Sequence, residues 1–177
     1  MFEYRTRLSL ISIETPHRTA EGGFVNPSLV ETRIHDLVEV RLRQVDLRYT
    51  KGRRTVIEVL HRRGGPVGIA EIESDAPELP RSSAYRHLVD LCAVGAIRSI
   101  RANGDFTHFE LSEALTEHHH HLHCLICGDI TDVTPSDHFE KAIDKMVGQF
   151  SDQTGFQSVS HSLEIFGHCS GCSAQPF

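Results

Sequence analysis

At 177 residues the chain is long for one small domain and short for two large ones, and its 39% hydrophobic content is enough for a modest core. No apolar run approaches the roughly eighteen residues of a membrane span, and the start lacks a basic-then-apolar export signal. These features argue against a membrane partner and for a soluble, cytoplasmic protein.

The net charge of −6 hides a division. Residues 33–101 hold 13 Lys+Arg against 9 Asp+Glu, a balance of +4, whereas residues 102–177 hold 2 against 11, a balance of −9. A basic half joined to an acidic, histidine-rich half points to a polyanion as one partner and a cation as the other.

In chain order, residues 1–30 show no period and contain the turn-rich TPHRTAEGGFVNPS, so a flexible arm is expected, with LSLISI able to pair as a short strand. Residues 30–48 carry apolar positions at helical spacing. Thr50 is then a plausible N-cap for KGRRTVIEVLHRR, which Gly64, Gly65 and Pro66 stop. A short third helix is expected over residues 68–74. A fourth begins at RSSAYRHLVDLCAVG, with Ser82 or Ser83 as cap and Gly95 as stop. Residues 96–101 and 105–111 flank Asn103-Gly104, a strong hairpin signal. Helices followed by a hairpin on the basic half describe a winged helix-turn-helix over residues 31–111, whose last helix would enter the DNA major groove.

Residues 112–117 form the expected hinge. Beyond it the pattern predicts a strand to about Cys124, a second over 129–133, a helix over 135–150 and a last strand over 158–167. The fold class is therefore α+β, a winged helix followed by a small α+β module at 118–177. With so few residues, that module has little core, and a metal clamp would supply what packing cannot.

Chemistry concentrates in HHHHLHCLIC at 118–127, five histidines and two cysteines in ten residues, and in GHCSGC near the C-terminus. Cys124, Cys127, Cys169 and Cys172 make two C-x-x-C knuckles, enough for a closed four-thiolate zinc shell. Cys92, in LVDLCAVGAI, is simply a core residue. On a strand, His118 and His120 share one face, and His119 and His121 the other, so one run can serve two metal sites. Glu140 and His161 could complete the first pair. His108 and Glu110, which share a face of the wing strand, could complete the second. His17, His35 and His61 receive no role, His123 and His138 stay undecided, and His168 borders the zinc turn. Toward DNA, Arg81, Ser82, Ser83, Tyr85 and Arg86 open the fourth helix with groups suited to phosphates and base edges. Arg53 and Arg54 stand where phosphate contacts are common.

Four motifs in order resemble the ferric uptake regulator family of metal-sensing bacterial repressors: T-x-x-R-R-x-V-I-E-V-L, A-Y-R-x-L, H-H-H-H-L-x-C-x-x-C-G and H-S-L-E-I-F-G-x-C-x-x-C. The resemblance implies a homodimer joined through its C-terminal modules, a structural Zn(2+) on the four cysteines and a palindromic double-stranded DNA target near metal-homeostasis or stress genes. It further implies a dimer-domain site of His118, His120, Glu140 and His161 and a hinge site of His119, His121 and Glu110. Tyr85 resembles the family's base-contacting tyrosine, and Arg53 its second-helix arginine. Pro66 replaces the histidine that family members place ahead of the third helix, so His108 is expected to join the hinge site. Histidine and glutamate ligands suit Fe(II), Zn(II), Mn(II) or Ni(II). Iron is favoured because no thiolate joins the hinge, which also admits a peroxide sensor. Apart from the resemblance, the histidines would also serve a metal-dependent hydrolase or a metal buffer. No H-E-x-x-H motif or nucleophile elbow supports the former.

Overall fold

The computed structural model describes residues 27–101 and 107–173. Its first group of elements is α1 (Pro27–Arg43), α2 (Lys51–Arg63), β1 (Val67–Gly68), α3 (Ile69–Asp75), α4 (Arg81–Ala93), β2 (Ile97–Arg101) and β3 (Thr107–Leu111). The second is β4 (His120–Cys124), β5 (Ile130–Val133), α5 (Asp137–Thr154), β6 (Glu164–Gly167) and α6 (Ser170–Ser173).

The first group is a winged helix. Val38 and Leu42 of α1, Val56, Ile57 and Leu60 of α2, Ile72 of α3, and Leu88 and Leu91 of α4 are buried in one core with Ile97, Phe109 and Leu111 of the sheet. Each such side chain contributes roughly 1.5–3 kcal/mol by leaving water. Thr50 caps α2 as expected, its side chain accepting from the Arg53 N–H, and Gly64 ends the helix at φ 71°. The sheet runs β1-β3-β2, antiparallel throughout. The two-residue β1 was not anticipated, being too short for any periodicity to register.

Several boundaries differ from expectation. The helix expected from residue 30 begins at Pro27, so residues 27–30 are helical rather than part of an arm. Residues 1–26, including LSLISI, and the Asn103-Gly104 turn lie outside the described residues. Neither Ser82 nor Ser83 caps α4. Pro80 is the N-cap, its carbonyl accepting from the Ser83 and Ala84 N–H groups, and the serines fall in the first turn. The last strand is shorter than expected, Glu164–Gly167, because its ladder with β4 starts only at Glu164, opposite His121. Val159, outside it, is 98% exposed.

The second group is a sheet of order β5-β4-β6, with β4 antiparallel to β5 and parallel to β6, connected through α5. It is poor in core: α5 has no buried residue, and Phe139, Met146, Phe150 and Ile165 are exposed. Residues 112–117 are tied down rather than slack, since Leu115 packs on the winged-helix core and Arg41 reaches the Ser112 hydroxyl at 3.3 Å. Ile100 of β2 and Ile130 of β5 pack together, so the two sheets meet beside the histidine run.

Candidate metal centres

Strand β4 ends in the first cysteine knuckle, and β6 delivers the second. Gly128, at φ 77°, turns the chain back after Cys127, and the Cys124 N–H donates to the Asp129 carbonyl at 2.9 Å. One sulfur from each of Cys124, Cys127, Cys169 and Cys172 lies within 4.8 Å of the others. Cys127 Sγ and Cys169 Sγ are 3.8 Å apart, which is the edge of a tetrahedron whose metal–sulfur bonds are about 2.3 Å. Backbone N–H groups of Cys127, Cys169 and Ile126 lower the Cys124 pKa to about 5, so this thiol is ionised at neutral pH. Neighbouring Cys169, with burial adding to it, pushes Cys172 up to about 12. A bound cation would favour the thiolate form of all four, and the donor set fits zinc.

Strand β4 begins only at His120, so His118 and His119 lie in the segment just before it rather than on the strand; the four histidines nonetheless alternate between two groups. On one face, His118, His120, Glu140 and His161 converge. Glu140 sits in the first turn of α5, which Ser136 caps by accepting from the Phe139 N–H. Its carboxylate lies 3.0 Å from His120 Nε2 and 3.2 Å from His161 Nε2, and His118 Nε2 is 3.3 Å from His161 Nε2. His120 Nδ1 accepts from the Leu163 N–H at 3.1 Å. A neutral imidazole has one lone pair, so binding an ion through Nε2 would require that contact to give way.

On the other face, Glu110 of β3 meets His119, His121 and Asp132. Glu110 is 3% exposed, and its Oε2 lies 3.3 Å from His119 Nε2 and 3.2 Å from His121 Nε2. Arg98 of β2 pairs with the same carboxylate and with Glu113 at 3.0 Å. Burial alone would raise the Glu110 pKa, but hydrogen bonds with His119, His121 and Arg98 outweigh it and hold the group well below the usual carboxylate range. The Glu110 hydrogen bond in turn raises His119 to about 9, against desolvation. His119 Nδ1 lies 2.9 Å from the Glu117 carbonyl, an N–H donor contact of the kind that leaves Nε2 available as a ligand.

Asp132 was not anticipated in this group, and His108, which was, does not belong to it. Register explains Asp132: it stands directly opposite His121 on β5. His108 pairs in register with Gly68 and Ile100 on the wing sheet, and its buried Nδ1 has no hydrogen-bond partner. His123, left undecided from sequence, is 3% exposed, and desolvation lowers its pKa. It joins His121 and Glu164 in a further group. A cleft of about 280 Å³ beside the Glu110 group is lined by Leu60, Gly65, Glu110, His119 and Asp132.

Residues 44–166 match the model of the ferric uptake regulator family. The chain is 30% identical over 143 residues to the transcriptional regulator FurA of Mycobacterium tuberculosis, covering 75% of this chain and 88% of that one. This chain belongs to the ferric uptake regulator family. The Helicobacter pylori ferric uptake regulator, whose structure has three functional metal-binding sites, superposes with a TM-score of 0.66 at 24% identity, over 82% of this chain and 95% of that one. The Vibrio cholerae regulator superposes at 0.59 and 24% identity, over 74% and 98%. The winged helix, the α+β module and its cysteine cluster are thus the family's fold, and the chain is a metal-responsive transcriptional regulator rather than an enzyme.

On the family's winged helix, α4 presents Arg81, Ser82, Tyr85 and Arg86 to solvent, with Ser83 half-buried. Arg81 pairs with Glu73 at 3.0 Å and lies over the Tyr85 ring. Arg53, expected to face a phosphate, is turned inward: it is 8% exposed, bonded to the Arg48 carbonyl and 2.6 Å from Asp90 Oδ2. Its charge ties α2 to α4. Arg54, one residue on, lies over the Tyr49 ring. Among the described residues no helix is long and apolar enough to cross a membrane.

Proposed function

We propose that the chain is a homodimeric repressor that binds a palindromic DNA operator when a divalent metal occupies the hinge group of Glu110, His119, His121 and Asp132. The supporting observation is that Glu110 comes from wing strand β3, whereas the other three residues come from the second unit. One ion there would hold the reader against the dimer core. Half-sites about one helical turn apart accept both readers only at one spacing, so the clamped form binds more tightly. A tenfold metal preference for that form corresponds to about 1.4 kcal/mol.

In this reading Cys124, Cys127, Cys169 and Cys172 hold a structural zinc that joins the end of β4 to the C-terminus. His118, His120, Glu140 and His161 form a second regulatory site on the opposite face of β4. The nitrogen and oxygen donors of the hinge favour Fe(II) or Zn(II), with Mn(II) or Ni(II) also suited. Arg81, Ser82, Tyr85 and Arg86 would contact the duplex, and Arg53 would position α2 and α4 beneath them. The dimer reading is supported by the apolar face of α5, where Phe139, Met146 and Phe150 are left uncovered in one protomer.

The test is a mobility shift on DNA selected from a random pool, with Fe(II), Zn(II), Mn(II) and Ni(II) titrated separately. His119→Ala is expected to abolish the metal-dependent gain in affinity while leaving the weaker, metal-free binding. A chelator that leaves operator affinity unchanged sinks the switch.

A further inference from the structure

The sheet register places a carboxylate on either side of His121. Asp132 lies directly opposite it on β5 and Glu164 directly opposite it on β6. Asp132 belongs to the hinge group. On the Glu164 side stands His123, two residues along β4 and therefore on the same face.

His123 has an environment that packing alone does not explain. Its side chain is 1% exposed and its ring stacks on Phe166 with centroids 4.8 Å apart, so its orientation is set. Yet neither ring nitrogen has a hydrogen-bond partner. Buried polar atoms nearly always find one. Glu164 Oε2 is 3.8 Å from His123 Nε2, too far for a hydrogen bond but within the span of two ligands each about 2.0–2.2 Å from one ion. His121, His123 and Glu164 each offer a ligand atom within 4.8 Å of the other two.

We propose that His121, His123 and Glu164 form a further divalent-cation site, and that it shares His121 with the hinge group, so that one ion at a time occupies one flank of that ring or the other. The donors are two imidazoles and a carboxylate, suited to Zn(II), Fe(II), Co(II) or Ni(II). Exclusion follows from the imidazole itself, which while neutral has a single lone pair to give. An ion at the Glu164 flank touches only β4 and β6, so it loads the second unit without engaging Glu110. Glu164 is 44% exposed at its side chain, which leaves that flank open to entering ions. The sharing of His121 rests on the metal reading of the hinge group; the site itself does not.

The full zinc-loaded chain carrying Glu140→Gln, His161→Ala, His119→Ala and Asp132→Asn, which strips two ligands from each of the other groups, is titrated with Co(II). Its visible d–d bands distinguish nitrogen and oxygen ligands from thiolates. One Co(II) per protomer is expected. Adding Glu164→Gln, at an exposed position that leaves folding intact, should weaken binding by more than the roughly 10-fold that even an outer-shell partner is worth. His123→Gln should do the same. No Co(II) in the stripped chain, or binding indifferent to both substitutions, overturns the site. With only Glu140→Gln and His161→Ala in place, one Co(II) per protomer is expected, and two would overturn the sharing. Loss of metal-dependent DNA binding in His119→Ala, together with no Co(II) in the stripped chain, removes this site and leaves the hinge reading standing. Glu164-dependent Co(II) binding, together with a metal response that survives His119→Ala, does the reverse.

Discussion

His119 illustrates how one residue can make metal binding compete with protons. In the metal-free protein its pKa is raised to about 9 by Glu110, so at neutral pH the ring is protonated and an ion must displace that proton. For the metal-free fold, this interaction is fully present below the unfolded value near 6.5 and is lost as pH rises through about 9. Metal affinity at the hinge should therefore climb between about pH 6.5 and 9, by up to about tenfold per unit, instead of levelling off near 6.5. Titrations across that range, with proton release measured calorimetrically in buffers of different ionisation enthalpy, check this; a flat profile above pH 7 would contradict it. Arg53 makes a second prediction at this scale. Asp90→Ala leaves its nearly buried guanidinium without a carboxylate, at a cost of about 1.5–3 kcal/mol in urea unfolding.

At the scale of elements, end signals mattered more than periodicity. Thr50 and Gly64 bound α2 as their chemistry dictates, and Gly64 occupies the left-handed region at φ 71°. Gly64→Ala should cost about 1–2 kcal/mol by thermal unfolding, since an added Cβ is disfavoured in that conformation whatever the space around it. The start of α4 shows the opposite case. Two serines looked like caps, but Pro80, which has no N–H to satisfy, begins the helix earlier and leaves them in its first turn. The four adjacent histidines divide alternately into two groups, as a period of two predicts, although only His120 and His121 of them lie in β4 and the chain is already extended ahead of it.

Across the whole molecule the two units are stabilised differently. The winged helix has a continuous core, while the second unit relies on a three-stranded sheet, a cysteine cluster and an apolar helix face that one protomer leaves open. Phe150→Glu, on that face, is expected to convert the proposed dimer to monomer in sedimentation velocity while the winged helix stays folded. A dimer that persists would place the interface elsewhere. With the proposed zinc on the four cysteines, a strong chelator should unfold the second unit before the first, seen as loss of amide-exchange protection in β4–β6 ahead of α2 and α4.

By itself the sequence determined the order of the longer elements, the four-cysteine cluster and the alternation of the histidines, because these depend on local chemistry and spacing. Tertiary structure decided which carboxylates meet those histidines. Asp132 and Glu164 lie eleven and forty-three residues from His121 along the chain, and only strand register places them on either side of it. It also turned Arg53 inward and kept His108 on the wing sheet. Spacing along one strand gives the face a side chain occupies, whereas the partner across the sheet depends on a pairing between distant segments that no local pattern encodes.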